Sequence, residues 1–258
     1  MSRRVLVTGG ASGLGAALVV AFRAAGDDVL VTDVDAAAAA AGRLVDLALD
    51  VTSDADWAAA LAHVEQSWGG LDILVNNAGV AGGGRIELST IEEWQRIIDV
   101  NLLGVVRGTR TFTPMVKAQG SGHFVNVASL AGLVHAAGMG SYNAVKAAVV
   151  AFTETTGHEL HPFGVKASVV CPSYFRTNLL SSMRGSDRRV GAVVAGMIER
   201  STVTAEEVAA AVLEGIANGD DLIVPDEPAR QAYALKWGDR PAYDALMRHQ
   251  ASRLAEGR

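Results

Sequence analysis

Short runs of consecutive apolar residues, rich in Val, Leu and Ile, alternate with longer helix-compatible stretches from the N-terminus to about residue 225. The runs cover residues 5–8, 28–33, 44–50, 72–76, 122–127, 165–171 and 221–225. They are continuous rather than alternating with polar residues, which is the pattern of strands covered on both faces. Residues 14–25, 36–42, 54–68, 91–118, 142–161 and 205–218 separate them as helices. Ser53 ahead of Asp54 and Thr204 ahead of Ala205-Glu206-Glu207 are good helix caps. Strand–helix–strand alternation implies parallel pairing through right-handed crossovers. The expectation is an α/β fold, a doubly wound seven-stranded parallel sheet flanked by helices, with no linker dividing residues 1–258.

Two regions break the rhythm. Residues 173–203, with Gly185, Gly191, Gly196 and the basic run 184–189, read as a long substrate loop or lid. Residues 226–258 carry Tyr233, Trp237, Tyr243, Leu246 and Met247 at helical spacing, a helical tail that packs back or forms an interface.

Charge and cysteine count remove several function classes. Twenty-two Lys plus Arg stand against 28 Asp plus Glu, a net charge of −6, which argues against a nucleic-acid binder, since that would need a basic face for phosphates. A lone Cys171 makes neither an internal disulfide nor a zinc cluster, and a reducing, cytoplasmic setting is expected. His158-Glu159-Leu160-His161 lacks the zinc-binding His-Glu-x-x-His spacing, so no metal is expected. The strand-like run 4–8 begins almost at Met1, so no secretory leader is expected. No apolar run approaches the ~18 residues of a membrane span.

Between the first strand and the first helix lies Thr8-Gly9-Gly10-Ala11-Ser12-Gly13-Leu14-Gly15. Glycines let the backbone approach phosphates, which meet unpaired N–H groups at a helix start. No Lys-Ser/Thr follows them, so a nucleoside triphosphatase loop is disfavoured. Asp33 ends the second strand about twenty residues on, where a carboxylate accepts hydrogen bonds from an adenosine ribose and repels a 2′-phosphate. The spacing points to a Rossmann-type site for NAD rather than NADP.

Taken with what lies downstream, this turn resembles that of the short-chain dehydrogenase/reductase family, in its compact single-domain branch. Asn76-Asn77-Ala78-Gly79 after the fourth strand resembles the family's Asn-Asn-Ala-Gly signature, and Asp50-Val51 the pair that meets the adenine ring. Asn101, Ser129 and Tyr142-x-x-x-Lys146 resemble the catalytic tetrad, and 172–177, from Pro172 to Thr177, the segment beside the nicotinamide amide. Ser173 stands where the family has glycine, and Val145 where serine is frequent. The ending Leu222-Ile223-Val224-Pro225 differs from the Asp-Gly-Gly of the acyl reductases. The resemblance implies a homodimer or homotetramer, paired through the helices expected at 91–118 and 142–161.

The chemistry of these residues is coherent. A free phenol, with a pKa of ~10, is a poor base near neutrality. Lys146, four residues after Tyr142 on a helix, shares its face, and its ammonium would favour tyrosinate. Ser129 would hold the substrate oxygen, and by resemblance Asn101 would hold a water linking Lys146 to solvent. The expected function is NAD-dependent hydride transfer between a secondary alcohol and a ketone. Ala131, His135, Met139, Tyr174, Phe175, Leu179, Met183, Val194 and Met197 are the expected pocket walls. Arg184, Arg188 and Arg189 leave an anionic substrate open. The rival readings are a catalytically silent dinucleotide-binding regulator or scaffold, and a lyase, epimerase or dehalogenase on the same fold.

Overall fold

The computed structural model describes residues 2–34, 45–176 and 185–256. Strands β1 (Arg4–Thr8), β2 (Asp28–Asp33), β3 (Leu47–Ala48), β4 (Ile73–Asn76), β5 (Gly122–Val127), β6 (Val165–Val170) and β7 (Leu222–Ile223) form one sheet. Their order is β3-β2-β1-β4-β5-β6-β7, and every pairing is parallel. The helices are α1 (Gly13–Ala24), α2 (Asp54–Trp68), α3 (Ile91–Ile98), α4 (Gly104–Gln119), α5 (Gly140–Leu160), α6 (Arg188–Arg200), α7 (Ala205–Asn218), α8 (Glu227–Gly238) and α9 (Arg240–Glu256). Strand order reverses between β1 and β4. In a doubly wound sheet, ligands bind in the crevice that such a reversal opens beyond the carboxyl ends of the strands.

The pleat explains why both faces need helices. In β1, Val5 and Val7 point one way and Leu6 the other. Val5 and Val7 pack with Leu18 and Phe22 of α1 and Val208 and Val212 of α7. Leu6 belongs to the cluster on the other face, with Trp57 of α2, Phe112 of α4 and Leu160 of α5. Each such side chain taken out of water contributes about 1.5–3 kcal/mol. A buried polar chain crosses the interior: Asn76 Nδ2 donates to Asn126 Oδ1 at 2.8 Å, and Asn126 Nδ2 to Thr153 Oγ1 at 3.0 Å. That chain ties β4 to β5 and β5 to α5, just below the crevice.

Three expectations need correction or fall outside the described residues. The helix expected at 36–42 lies outside them. The single helix expected at 91–118 is divided, with a π-helical turn at Asp99–Leu103 that carries Asn101. The loop expected over 173–203 holds α6 in its second half. Asp187 caps α6 by accepting from the N–H groups of Arg189 and Val190, and Val190, Val194 and Ile198 bury one face against Met139. Gly191 and Gly196 are therefore helical, outweighed by the cap and the apolar stripe. The tail is two helices, α8 and α9, which pack against each other. Among the described residues no helix is long and apolar enough to cross a membrane, and no group of three or more His, Cys, Asp or Glu could hold a metal ion.

Candidate active site

The crevice at the sheet reversal is a cleft of about 860 Å³, within the range typical of small-molecule sites. Gly9, Ser12, Gly13 and Leu14 form its first wall. Gly9 and Gly13 have φ of +63° and +53°, values that L side chains rarely adopt. A Cβ on Gly15 would stand 2.0 Å from the Gly9 carbonyl oxygen, so glycine here lets α1 start against the turn. Gly15 therefore acts through packing and does not line the cleft. Ser12 caps α1 without a side-chain hydrogen bond, and the first turn holds no acidic residue. The helix start thus offers unclaimed N–H groups and positive dipole to an anion.

Neighbouring segments hold this cradle in shape. Asn77 Nδ2 donates to the carbonyls of Thr8 and Gly9, and Thr8 Oγ1 accepts from the Asn77 and Ala78 N–H groups. Asp33 Oδ2 accepts from Ala11 N at 3.1 Å, which pins the carboxylate at the cleft rim beside Val34. Asp50, Val51, Asn77, Ala78, Gly79 and Pro172 also line the cleft. Asp50 Oδ1 is engaged by the N–H and hydroxyl of Thr52. This donor set fits a dinucleotide, whose pyrophosphate would meet the N–H groups at the α1 start and whose ribose would meet Asp33. Thr177 lies outside the described residues.

Three of the four proposed catalytic side chains share the next wall. Ser129 follows β5 and caps a short 3₁₀ turn, its Oγ accepting from Ala131 N at 3.1 Å. Tyr142 and Lys146 stand one turn apart on α5, with Lys146 Nζ 5.8 Å from the centre of the Tyr142 ring. The Tyr142 phenol hydrogen-bonds Ser129, yet burial pushes it up to about 12. Lys146 is 5% exposed, and burial pulls its ammonium down to about 8. Its Nζ donates to the Val127 carbonyl at 2.9 Å. The expected lowering of the phenol by the lysine is thus outweighed here, because desolvation penalises both charged forms and the ammonium is spent on a main-chain oxygen.

Asn101 departs further from its expected placement. It is fully buried and is absent from the cleft lining. Its side chain closes a two-bond clasp on Val80, accepting from N at 2.8 Å and donating to O at 2.9 Å. Both ends of the amide are committed to holding the loop after β4.

On the substrate side, Ala131, Met139, Tyr174, Phe175, Val194 and Met197 line the cleft. His135 does not. It is exposed, its N–H donates to Tyr243 Oη, and its Nδ1 lies 3.4 Å from Lys236 Nζ. The tail claims His135 and turns it from the mouth. Arg188 and Arg189 are also absent from the lining, and Leu179, Met183 and Arg184 fall outside the described residues. Sequence reasoning missed Val80, Arg96 and Asn143, and it missed the tail residues Ala232, Leu246, Met247 and Gln250. The helical spacing of 243–247 was the available signal for the last group.

Known proteins agree with this geometry. The short chain dehydrogenase family model matches residues 3–188. The chain is 40% identical over 178 residues to a 3-alpha-(or 20-beta)-hydroxysteroid dehydrogenase of Mycobacterium tuberculosis, covering 67% of this chain and 68% of that one. A short chain dehydrogenase/reductase from Burkholderia phymatum in complex with NAD superposes with a TM-score of 0.84 at 28% identity, over 93% of this chain and 94% of that one. A short chain dehydrogenase from Burkholderia cenocepacia in complex with NADP gives 0.78 at 25% identity, over 95% and 97%. Glycine cradle, Tyr–Lys pair, parallel sheet and family match converge: the chain belongs to the short-chain dehydrogenase/reductase family of oxidoreductases.

Proposed function

We propose that this protein is an NAD-dependent dehydrogenase that interconverts a secondary alcohol and a ketone. The observation that carries the reading is the placement of Ser129, Tyr142 and the glycine cradle on one continuous cleft. When bound, the nicotinamide ring would supply the acceptor or donor of hydride. The residues supply the rest. Ser129 Oγ and the Tyr142 phenol would both reach the substrate oxygen, one holding it and the other exchanging its proton. Lys146, desolvated beside them, would tune that exchange once the cleft is filled, and Asn101 would keep the opposite loop in place.

Asp33 supports NAD over NADP, since its carboxylate lies at the cleft rim, where it would accept from an adenosine ribose and repel a 2′-phosphate. The substrate walls are largely apolar, which favours a neutral alcohol, and similarity to a hydroxysteroid dehydrogenase points the same way. NADH absorbance with a panel of cyclic and aliphatic alcohols and ketones, run on wild type and Tyr142→Phe, tests the reading. Turnover should appear in wild type and drop about 10²–10⁴-fold in the variant, with NAD binding kept. Cofactor binding without turnover in the wild type across the panel would reject it in favour of a silent dinucleotide-binding regulator.

A further inference from the structure

Helix α9 presents Tyr243, Met247, Gln250 and Leu254 at spacings of four, three and four, hence on one face. That face is docked. Tyr243 is 4% exposed, and its Oη accepts the His135 N–H at 2.9 Å. Met247 packs with Leu133 and Val134, and Leu254 packs with Met139, Val190 and Val194. The stripe therefore closes on residues 133–139, immediately ahead of the helix that carries Tyr142. Gln250 is its polar interruption. Packing alone would favour an apolar side chain at this half-buried position. Yet Gln250 lines the cleft, and its amide makes no hydrogen bond with the described residues.

We infer that Gln250 is a specificity-determining residue, which hydrogen-bonds a second, uncharged oxygen function on an otherwise apolar substrate. This rests on the proposed alcohol–ketone reading. The reacting oxygen already has Ser129 and Tyr142, so the Gln250 amide serves another group. An amide both donates and accepts, so it suits a hydroxyl or a carbonyl. A carboxylate would instead call for a cation.

The test uses a fused-ring secondary alcohol bearing a ketone on its opposite ring, and the same alcohol without that ketone. Calorimetry measures the binding of each to the chain with ADP-ribose, which lacks a nicotinamide, so that neither the alcohol nor the ketone reacts. Wild type should bind the keto-alcohol at least tenfold more tightly. Gln250→Leu and the isosteric Gln250→Met should bring the two within about twofold, by weakening the keto-alcohol alone, with no loss of melting temperature. An unchanged ratio, equal weakening of both compounds, or no binding of either overturns the inference. Turnover of both alcohols with an unchanged ratio would remove Gln250's role and leave the dehydrogenase standing. Discrimination without turnover by wild type under NAD would do the reverse.

Discussion

Arg85 Nε lies 2.7 Å from Asp187 Oδ2, across 102 residues of chain, and the Arg85 N–H bonds the same oxygen. Asp187 is 1% exposed and Arg85 27%, so the carboxylate is held well below its usual range, first by its hydrogen bond to Arg85. Asp187 also caps α6. One carboxylate therefore fastens the loop after β4 to the helix that supplies Val194 and Met197 to the substrate wall.

Replacing Asp187 with Ala should cost about 2 kcal/mol. A lost cap accounts for roughly 1 kcal/mol, and the other hydrogen bonds made by the buried Asp187 carboxylate for the rest. Urea denaturation measures it, and KM for the substrate should rise more than kcat falls. Arg85→Ala should add little to Asp187→Ala, because both remove one interaction. Full additivity in that cycle would mean that the two residues act separately.

A second prediction concerns acid stability. His123 Nε2 lies 2.7 Å from Ser168 Oγ, whose own proton goes to the Asp220 carbonyl at 2.6 Å. The imidazole therefore donates through Nε2. Burial pulls it down to about 4 from a usual 6.5. Between those values the unfolded chain binds a proton that the folded chain refuses. Stability is thus complete above about pH 6.5 and falls as pH drops toward 4, by at most roughly 3 kcal/mol. His123→Gln keeps a neutral donor, and its unfolding free energy should lose that slope relative to wild type. Parallel curves for the two proteins would refute the assignment.

The buried lysine makes a kinetic prediction. In the cofactor-free cleft Lys146 titrates at about 8, so above that pH its ammonium no longer favours negative charge near Tyr142. kcat/KM for ketone reduction should fall as pH rises through about 8. Lys146→Met should lower the rate about 10²–10⁴-fold and flatten that limb. A limb that survives in Lys146→Met would belong to another group.

What could be read from the residues follows a physical rule. The seven strands were legible because their apolar runs are continuous, and the cradle because Gly9 and Gly13 sit where only glycine is comfortable. Helix α6 was not, since its glycines and arginines suggest a loop, whereas its cap and its packing against Met139 are tertiary facts. His135 and Gln250 make the same point in opposite directions. Which of them meets the cleft depends on where α9 docks, and no local spacing encodes that. Asn101 was recognised as a motif position, but its clasp on Val80 is a contact across 21 residues.

Cofactor choice gives the last prediction. Asp33 Oδ2 accepts from Ala11 N–H, so a substitution that deletes the side chain would disturb the glycine turn as well as the charge. Asp33→Asn keeps an acceptor for Ala11 and removes only the charge. A carboxylate about 4 Å from one charge of a 2′-phosphate costs about 1 kcal/mol in bulk water and about 4 kcal/mol at the dielectric of a protein surface. NADP use, as kcat/KM, should therefore improve roughly tenfold or more in Asp33→Asn, while NAD use falls only severalfold through a weaker ribose contact. If both cofactors change by the same factor, the charge at Asp33 is not what selects between them, and the preference must come from the shape of the rim around Val34.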